Sequence, residues 1–278
     1  MFATLLGGCA IPFEPSDPVA LDQAPGWKVS FLDDFDTFDD ANWQDQLLWV
    51  NDEDQCYVRD GAHGTREVSN GTLKLRVVDL GEARPCPENV NKIGEAIPDT
   101  QYVAGRLTSK NRKEFVKGKW SARLRVKDSG QDGMFPAWWL LGAYNNEPPV
   151  QEEDETVCWP LTGSGEIDIF EHHSDGGPDK FAARAIESLG YCGGGDWQSL
   201  MLVKEAPLGE YNNYSVEWQG TDLIFRLNED EIYRGEGMGD LYPEPLFAVL
   251  NFAKINPAAM TQTWEMEVDW VKHEYWED

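Results

Sequence analysis

The chain has 278 residues, with 50 Asp and Glu against 23 Lys and Arg, for a net charge of −27 at pH 7. Such a surface repels phosphate backbones and anionic lipid, which excludes nucleic-acid binding and docking on acidic membranes. At 41% hydrophobic and 12% aromatic residues the chain is too apolar for an acidic disordered segment, and its length suits one large domain.

Residues 1–24 read as a leader and linker, and 25–278 as the domain. The first twenty residues, MFATLLGGCAIPFEPSDPVA, are apolar and then Pro-rich, with no Lys or Arg before Lys28. The apolar run is too short to span a bilayer. It resembles the tail of a secretory signal without its basic start, and Leu6-Gly7-Gly8-Cys9 resembles a bacterial lipobox, in which Cys9 takes a lipid. A disordered tail is the alternative. The expectation is export to the periplasm, cell surface or medium, with any membrane tether made only through Cys9.

Four further cysteines, Cys56, Cys86, Cys158 and Cys192, allow three pairings. None lies in a C-x-x-C pair, which argues against zinc. Local pairing, Cys56 with Cys86 and Cys158 with Cys192, would pin two long loops; four buried thiols are the alternative.

Along the chain, period-two alternation predicts strands with one buried face. Leu73, Leu75 and Val77 alternate with Lys74 and Arg76; Trp120, Ala122, Leu124 and Val126 with Ser121, Arg123 and Arg125. Leu223, Phe225 and Leu227 share a parity, and Trp264, Met266, Val268 and Trp270 alternate with three acids. Turn signals at Asn70-Gly71, Lys117-Gly118, Asn228-Glu229-Asp230 and Gly235 to Gly239 punctuate the pattern. Many strands without intervening helices imply an all-β sandwich of two antiparallel sheets. Asp79–Thr100 and Asn145–Thr156 read as loop insertions, and Glu152-Glu153-Asp154-Glu155 as a solvated charge run.

The informative segment is Gly165-Glu166-Ile167-Asp168-Ile169-Phe170-Glu171-His172-His173. On a helix Glu166 and Asp168 would point about 200° apart. On a strand they share one face, with Ile167 on the other. Glu171 has the wrong parity for that face, and a β-bulge near Ile169-Phe170 would turn it back. A row of three carboxylates is costly as structure and useful as chemistry. Retaining glycoside hydrolysis needs a nucleophile and an acid/base about 5–5.5 Å apart. The Cα atoms of Glu166 and Glu171 would be roughly 13–16 Å apart at strand rise, and two long side chains leaning inward close most of that gap. The roles this spacing suggests are Glu166 as nucleophile, Glu171 as acid/base, and Asp168 as the orienter that helps hold a proton on Glu171. An exposed acidic edge is the alternative.

The segment Gly-Glu-Ile-Asp-Ile-Phe-Glu resembles the catalytic signature of glycoside hydrolase family 16 in its bulged E-x-D-x-x-E form, carried by laminarinases and agarases; lichenases have the unbulged form. Trp49–Tyr57 resembles the family's W-G-N-N-E-L-Q-Y-Y stretch, Ala104–Lys110 its S-G-R-L-T-S-K, and Phe135–Gly142 its W-P-A-F-W-M-L-G. Tyr214–Trp218 and Val268–Val271 also fit, so the likeness runs in order from about Trp27 to Tyr275. It implies a concanavalin-like β-jelly roll with a concave glycan cleft. It places Asn51, Arg106, Trp139 and Asn251 in or near that cleft, and Trp159 with them, although two extra residues separate Trp159 from the acidic motif. Parity puts Phe135 and Trp139 on the cleft face and Trp138 in the core. Asp269 matches a family position that often ligates a structural calcium; a solvent-facing acid is the alternative. Catalysis itself requires no cofactor.

Two departures concern the substrate more than the reaction. Phe135 replaces the family's usual Trp, and the segment Ala183–Ser188 lacks the histidine that laminarinases carry on the strand after the motif. His172 and His173 face opposite ways on a strand and cannot both replace it. The expected function is a retaining endo-β-glycan hydrolase acting on β-1,3-glucan of the laminarin type, with the polysaccharide as partner and no protein partner implied. Alternatives are a transglycosylase, a hydrolase of mixed-linkage glucan, agar or carrageenan, or a glucan-binding module without catalysis. Sulfated carrageenan would be repelled by so acidic a protein.

Overall fold

The alternating segments form the strands Leu73–Arg84, Lys119–Val126, Asp222–Leu227 and Trp264–Glu277 of a ten-stranded sheet. In this computed structural model residues 25–51, 53–91, 96–173, 177–188, 190–192, 197–255 and 258–278 are described, 197–201 by their backbone alone. The leader and Cys9 lie outside the described residues. Asn70 and Gly71 both take positive φ, 57° and 67°, as do Asn228 and Glu229, so the predicted turn residues supply the left-handed backbone that tight hairpins need.

A second sheet of eight strands faces the first. Its spatial order is Trp197–Glu205, Lys180–Ser188, Glu166–Glu171, Met134–Gly142, Leu246–Lys254, Arg106–Thr108 and Gln44–Asp45, with Glu114–Phe115 beside Leu246–Lys254. Every ladder of this sheet is antiparallel. One hydrophobic core fills the space between the sheets, drawing Leu75, Trp120, Val126 and Met266 from one and Trp138, Ile167, Phe170 and Leu250 from the other. This is the all-β sandwich that the alternation predicts, in the jelly-roll form that the resemblance implies. Among the described residues the helical pieces are short 3₁₀ turns such as Ala62–Gly64 and Met238–Leu241.

Two loop expectations change. The strand Leu73–Arg84 runs into the expected Asp79–Thr100 loop, pairing Asp79 with Tyr102 and Arg84 with Thr100. Buried alternation stops at Val77 while the backbone ladder continues, so the sequence pattern ends before the strand does. In the acidic insertion, Glu152, Glu153 and Asp154 are exposed as expected, but Glu155 is buried. Its carboxylate lies 3.2 Å from the ammonium of Lys110, which is itself completely buried and needs a counter-charge. Lys110 also donates to the carbonyls of Asn145 and Glu147 at 2.7 and 2.8 Å, which ties the insertion to the eight-stranded sheet. The cysteines pair locally, Cys56 with Cys86 and Cys158 with Cys192, at Cα separations of 5.6 and 5.5 Å.

Candidate active site

The acidic strand Glu166–Glu171 carries one extra residue relative to both neighbours. Against Met134–Gly142, Phe170 pairs with Trp138 and Asp168 with Trp139. Against Lys180–Ser188, Asp168 pairs with Arg184 and Glu171 with Ala182. The insertion lies between Asp168 and Glu171, where the sequence requires a bulge. It lets the consecutive residues Ile169 and Phe170 both enter the core. Glu166, Asp168 and Glu171 consequently share the opposite face, and all three line a cleft of about 600 Å³.

Antiparallel pairing sets this face out in rows. One row runs Ala182, Glu171, Ala137, Asn251 and Arg106 across five strands. The next runs Arg184, Asp168, Trp139, Val249 and Thr108. A third runs Ile186, Glu166, Leu141 and Phe247. The small Ala137 between Glu171 and Asn251 leaves the row open, while Trp139 closes the floor behind it. Ala137, Trp139, Leu141, Phe247 and Val249 form a separate apolar cluster on this face, with Trp159 packed against it.

All nine expected catalytic and glycan-contacting residues line this one cleft: Glu166, Asp168, Glu171, Asn51, Arg106, Phe135, Trp139, Trp159 and Asn251. Trp138 is buried in the core between the sheets, as parity requires. The Trp139 indole N–H donates to Asn251 Oδ1 at 2.8 Å, and the Asn251 amide donates to the Tyr57 hydroxyl at 3.2 Å. Arg106 donates from Nε to Gln46 Oε1 at 2.7 Å, and its guanidinium lies 5.1 Å from the Trp139 ring centroid. These contacts fix the floor side chains before any ligand arrives. Asn51 holds a positive φ of 59°, a backbone position that Asn tolerates better than most residues.

Sequence reasoning missed Glu53, Glu147 and Arg184. Glu53 lines the cleft two residues after Asn51 and accepts from the Gln55 amide at 2.9 Å. Its place in the Trp49–Tyr57 stretch was a signal that could have found it. Glu147 lines the cleft from the acidic insertion, where no local pattern marks it. Arg184 alternates with the core residues Ala183 and Ala185, so parity alone turns it toward the acidic face. The disulfide partners Cys158 and Cys192 also line the cleft and close one wall.

Neither His172 nor His173 is among the residues that line the cleft. His172 is fully buried, its ring nitrogens 2.7 Å from the carbonyl oxygens of Lys180 and Ser129. His173 packs on Phe135, with ring centroids 4.2 Å apart. Asp269, expected either as a calcium ligand or as a solvent-facing acid, is partly exposed, and its carboxylate is ion-paired with Arg123. Among the described residues no group of three or more His, Cys, Asp or Glu could hold a metal.

Burial is the main force on the acids. It pushes Glu166 up to about 8, helped by the charges of Glu171 and Glu147 and opposed by Trp159 and Arg106. Burial raises Asp168 well above the carboxylate range, with Glu171 and Glu166 adding to it. Glu171 is also raised by burial, and Arg184 pulls it back. The three take up and release protons as one system, so near neutral pH the site keeps at least one proton beside an ionisable carboxylate. That combination can supply an acid and a nucleophile at once. Glu53 is raised by burial to about 7, against the pull of Arg106.

No family model matches the chain. The curated Endo-1,3-1,4-beta-glycanase ExsH of Rhizobium meliloti (strain 1021) is 22% identical over 267 residues, 87% of this chain and 50% of its own length. The chain thus spans about half the length of that relative. Among solved structures, LamAcat from Zobellia galactanivorans superposes with a TM-score of 0.72 at 25% identity, covering 89% of this chain and 97% of its own. The catalytic domain of an endo-1,3-beta-glucanase (laminarinase) from Thermotoga petrophila RKU-1 gives 0.69 at 20% identity, covering 91% and 100%.

Proposed function

We infer that this chain, laminarinase-like and of the glycoside hydrolase family 16 type, is a retaining endo-β-glucan hydrolase acting on β-1,3-glucan. The observation that carries the reading is the bulged strand, with Glu166, Asp168 and Glu171 on one face of a cleft. In the proposed mechanism Glu166 attacks the anomeric carbon while Glu171 protonates the departing glycosidic oxygen. Glu171, now a carboxylate, then takes a proton from the water that releases the covalent glycosyl intermediate. Asp168 sits between the two glutamates in sequence, and its proposed role is to orient Glu166. Trp139, Trp159 and Phe135 offer aromatic surface to sugar rings, and Asn51, Arg106 and Asn251 offer polar atoms to hydroxyls.

A neutral glucan suits a cleft whose lining carries five carboxylates, Glu53, Glu147, Glu166, Asp168 and Glu171, against one lining cation, Arg106. An endo-1,3-beta-glucanase (laminarinase) stands among the structural neighbours, which supports the β-1,3 linkage. The export reading rests on the leader and gains support from the two disulfides, which persist in oxidising compartments. The lipid on Cys9 rests on the lipobox-like sequence alone.

Reducing-end release from laminarin, mixed-linkage glucan, agarose and carrageenan tests the substrate. Release from laminarin above the others is expected. Binding without release from any of them would replace the hydrolase with a recognition module. The first anomer formed tests retention, and a product of inverted configuration would refute the double displacement.

A further inference from the structure

Arg184 is the ladder partner of Asp168, yet its charge meets Glu171: Nε lies 2.8 Å from Glu171 Oε2. The bulge makes this contact. By advancing Glu171 one position it sets that residue opposite Ala182, whose small side chain leaves the space between Glu171 and Arg184 clear. Both side chains are largely buried, at 26% and 11% exposed, so the pair is poorly screened. The other charged groups around Glu171 are Glu166 and Asp168 on its own strand, Lys180 two residues from its ladder partner Ala182 and of the same parity as Arg184, and Arg106, Glu53 and Glu147 elsewhere in the cleft lining. Met134–Gly142, packed on its other side, contributes no titratable side chain, and His173 lies two residues on, against Phe135. Arg184 is the cation in direct contact, on the strand where the resemblance leads one to expect a histidine.

We propose that Arg184 is a positioning residue that anchors Glu171 and biases it toward the carboxylate, so that it sets the pH range over which Glu171 can act as an acid. Its consequence for turnover rests on the acid/base role proposed above for Glu171. A fixed cation beside the carboxylate favours the half-reaction in which Glu171 donates its proton, and opposes the half-reaction in which it accepts one from water. Burial pushes Glu171 up and Arg184 pulls it down, so the side chain is balanced between its two duties. A neutral imidazole at this position would exert no such pull.

Titration of the Glu171 carboxyl by carbon NMR in glutamate-labelled protein tests this without relying on activity. Its signal is assigned by its disappearance in Glu171→Gln. In Arg184→Met the midpoint is expected to rise by about one pH unit or more, a tenfold or larger gain in proton affinity. Arg184→Lys, which keeps a cation, should stay closer to the parent. An unchanged midpoint in a folded Arg184→Met protein overturns the proposal; should that variant fail to fold, Arg184→Gln carries the same comparison. The alkaline limb of kcat/KM on laminarin should move upward by the same amount. If the NMR midpoint rises while that limb stays fixed, the influence of Arg184 stands and the acid role of Glu171 falls.

Discussion

Lys110 and Glu155 form an ion pair of 3.2 Å with both side chains essentially sealed from water. The pair joins the segment after Arg106–Thr108 to the acidic insertion, the same insertion that sends Asn146 and Glu147 into the cleft. Burial lowers the Lys110 ammonium, and the Glu155 carboxylate offsets only part of that shift. Removing one partner strands the other. Lys110→Met is expected to cost about 3–5 kcal/mol in denaturant unfolding. It should also raise KM, because the wall carrying Glu147 loses its tether. Equal stability of parent and variant would show that water reaches Glu155.

Glu53 makes stability depend on pH. Its folded value of about 7 lies above the ordinary 4.5, so the folded protein binds the extra proton between those values. The sign follows: Glu53 costs nothing below pH 4.5, and stability falls as pH rises through 7. Glu53→Gln removes that titration. The melting temperature of the variant relative to the parent should therefore improve between pH 5 and pH 8, by the equivalent of about 3 kcal/mol at most. A constant difference across that range would refute the buried, proton-holding Glu53.

The two glutamates should separate by chemistry. Glu166→Gln is expected to abolish turnover with the fold intact. Glu171→Gln should cost roughly 10²–10⁴-fold on laminarin and far less in the first step on an aryl glycoside whose leaving group needs no proton. Azide added to Glu171→Ala should restore activity and give a β-glycosyl azide, and added to Glu166→Gly an α-glycosyl azide. Exchange of the two products would reverse the assigned roles.

The bulge can be tested by changing its length. Deleting Ile169 leaves an alternating Glu-Ile-Asp-Phe-Glu strand, in which all three acids keep their face. That variant should retain measurable hydrolysis at reduced stability, because a buried core side chain is lost. Inserting one alanine after Ile169 gives Glu-Ile-Asp-Ile-Ala-Phe-Glu, which also alternates regularly; Glu171 keeps its face but moves roughly 7 Å farther along the strand from Glu166, which should abolish activity. Activity in the insertion variant would mean that position along the strand does not set the spacing of the two glutamates.

Much of this site is legible in the sequence because strand alternation is a local property. The parity of Glu166 and Asp168 names their face, and the spacing to Glu171 demands the extra residue found between Asp168 and Glu171. The same rule separates Trp138 from Trp139, one in the core and the other on the cleft floor. The Asn51 and Asn251 assignments came from the resemblance, and both residues line the cleft.

What the sequence by itself determined was therefore the sandwich, the acidic face and the residues carried on it. Only the tertiary structure decided their partners. Arg184 meets Glu171 through a cross-strand register, Glu155 is drawn out of a charge run by Lys110, and Asp269 is paired with Arg123. Which face a residue takes is set by its neighbours along the chain, over two or three residues. Which charge it meets is set by how separate strands align, and no pattern within one strand records that alignment.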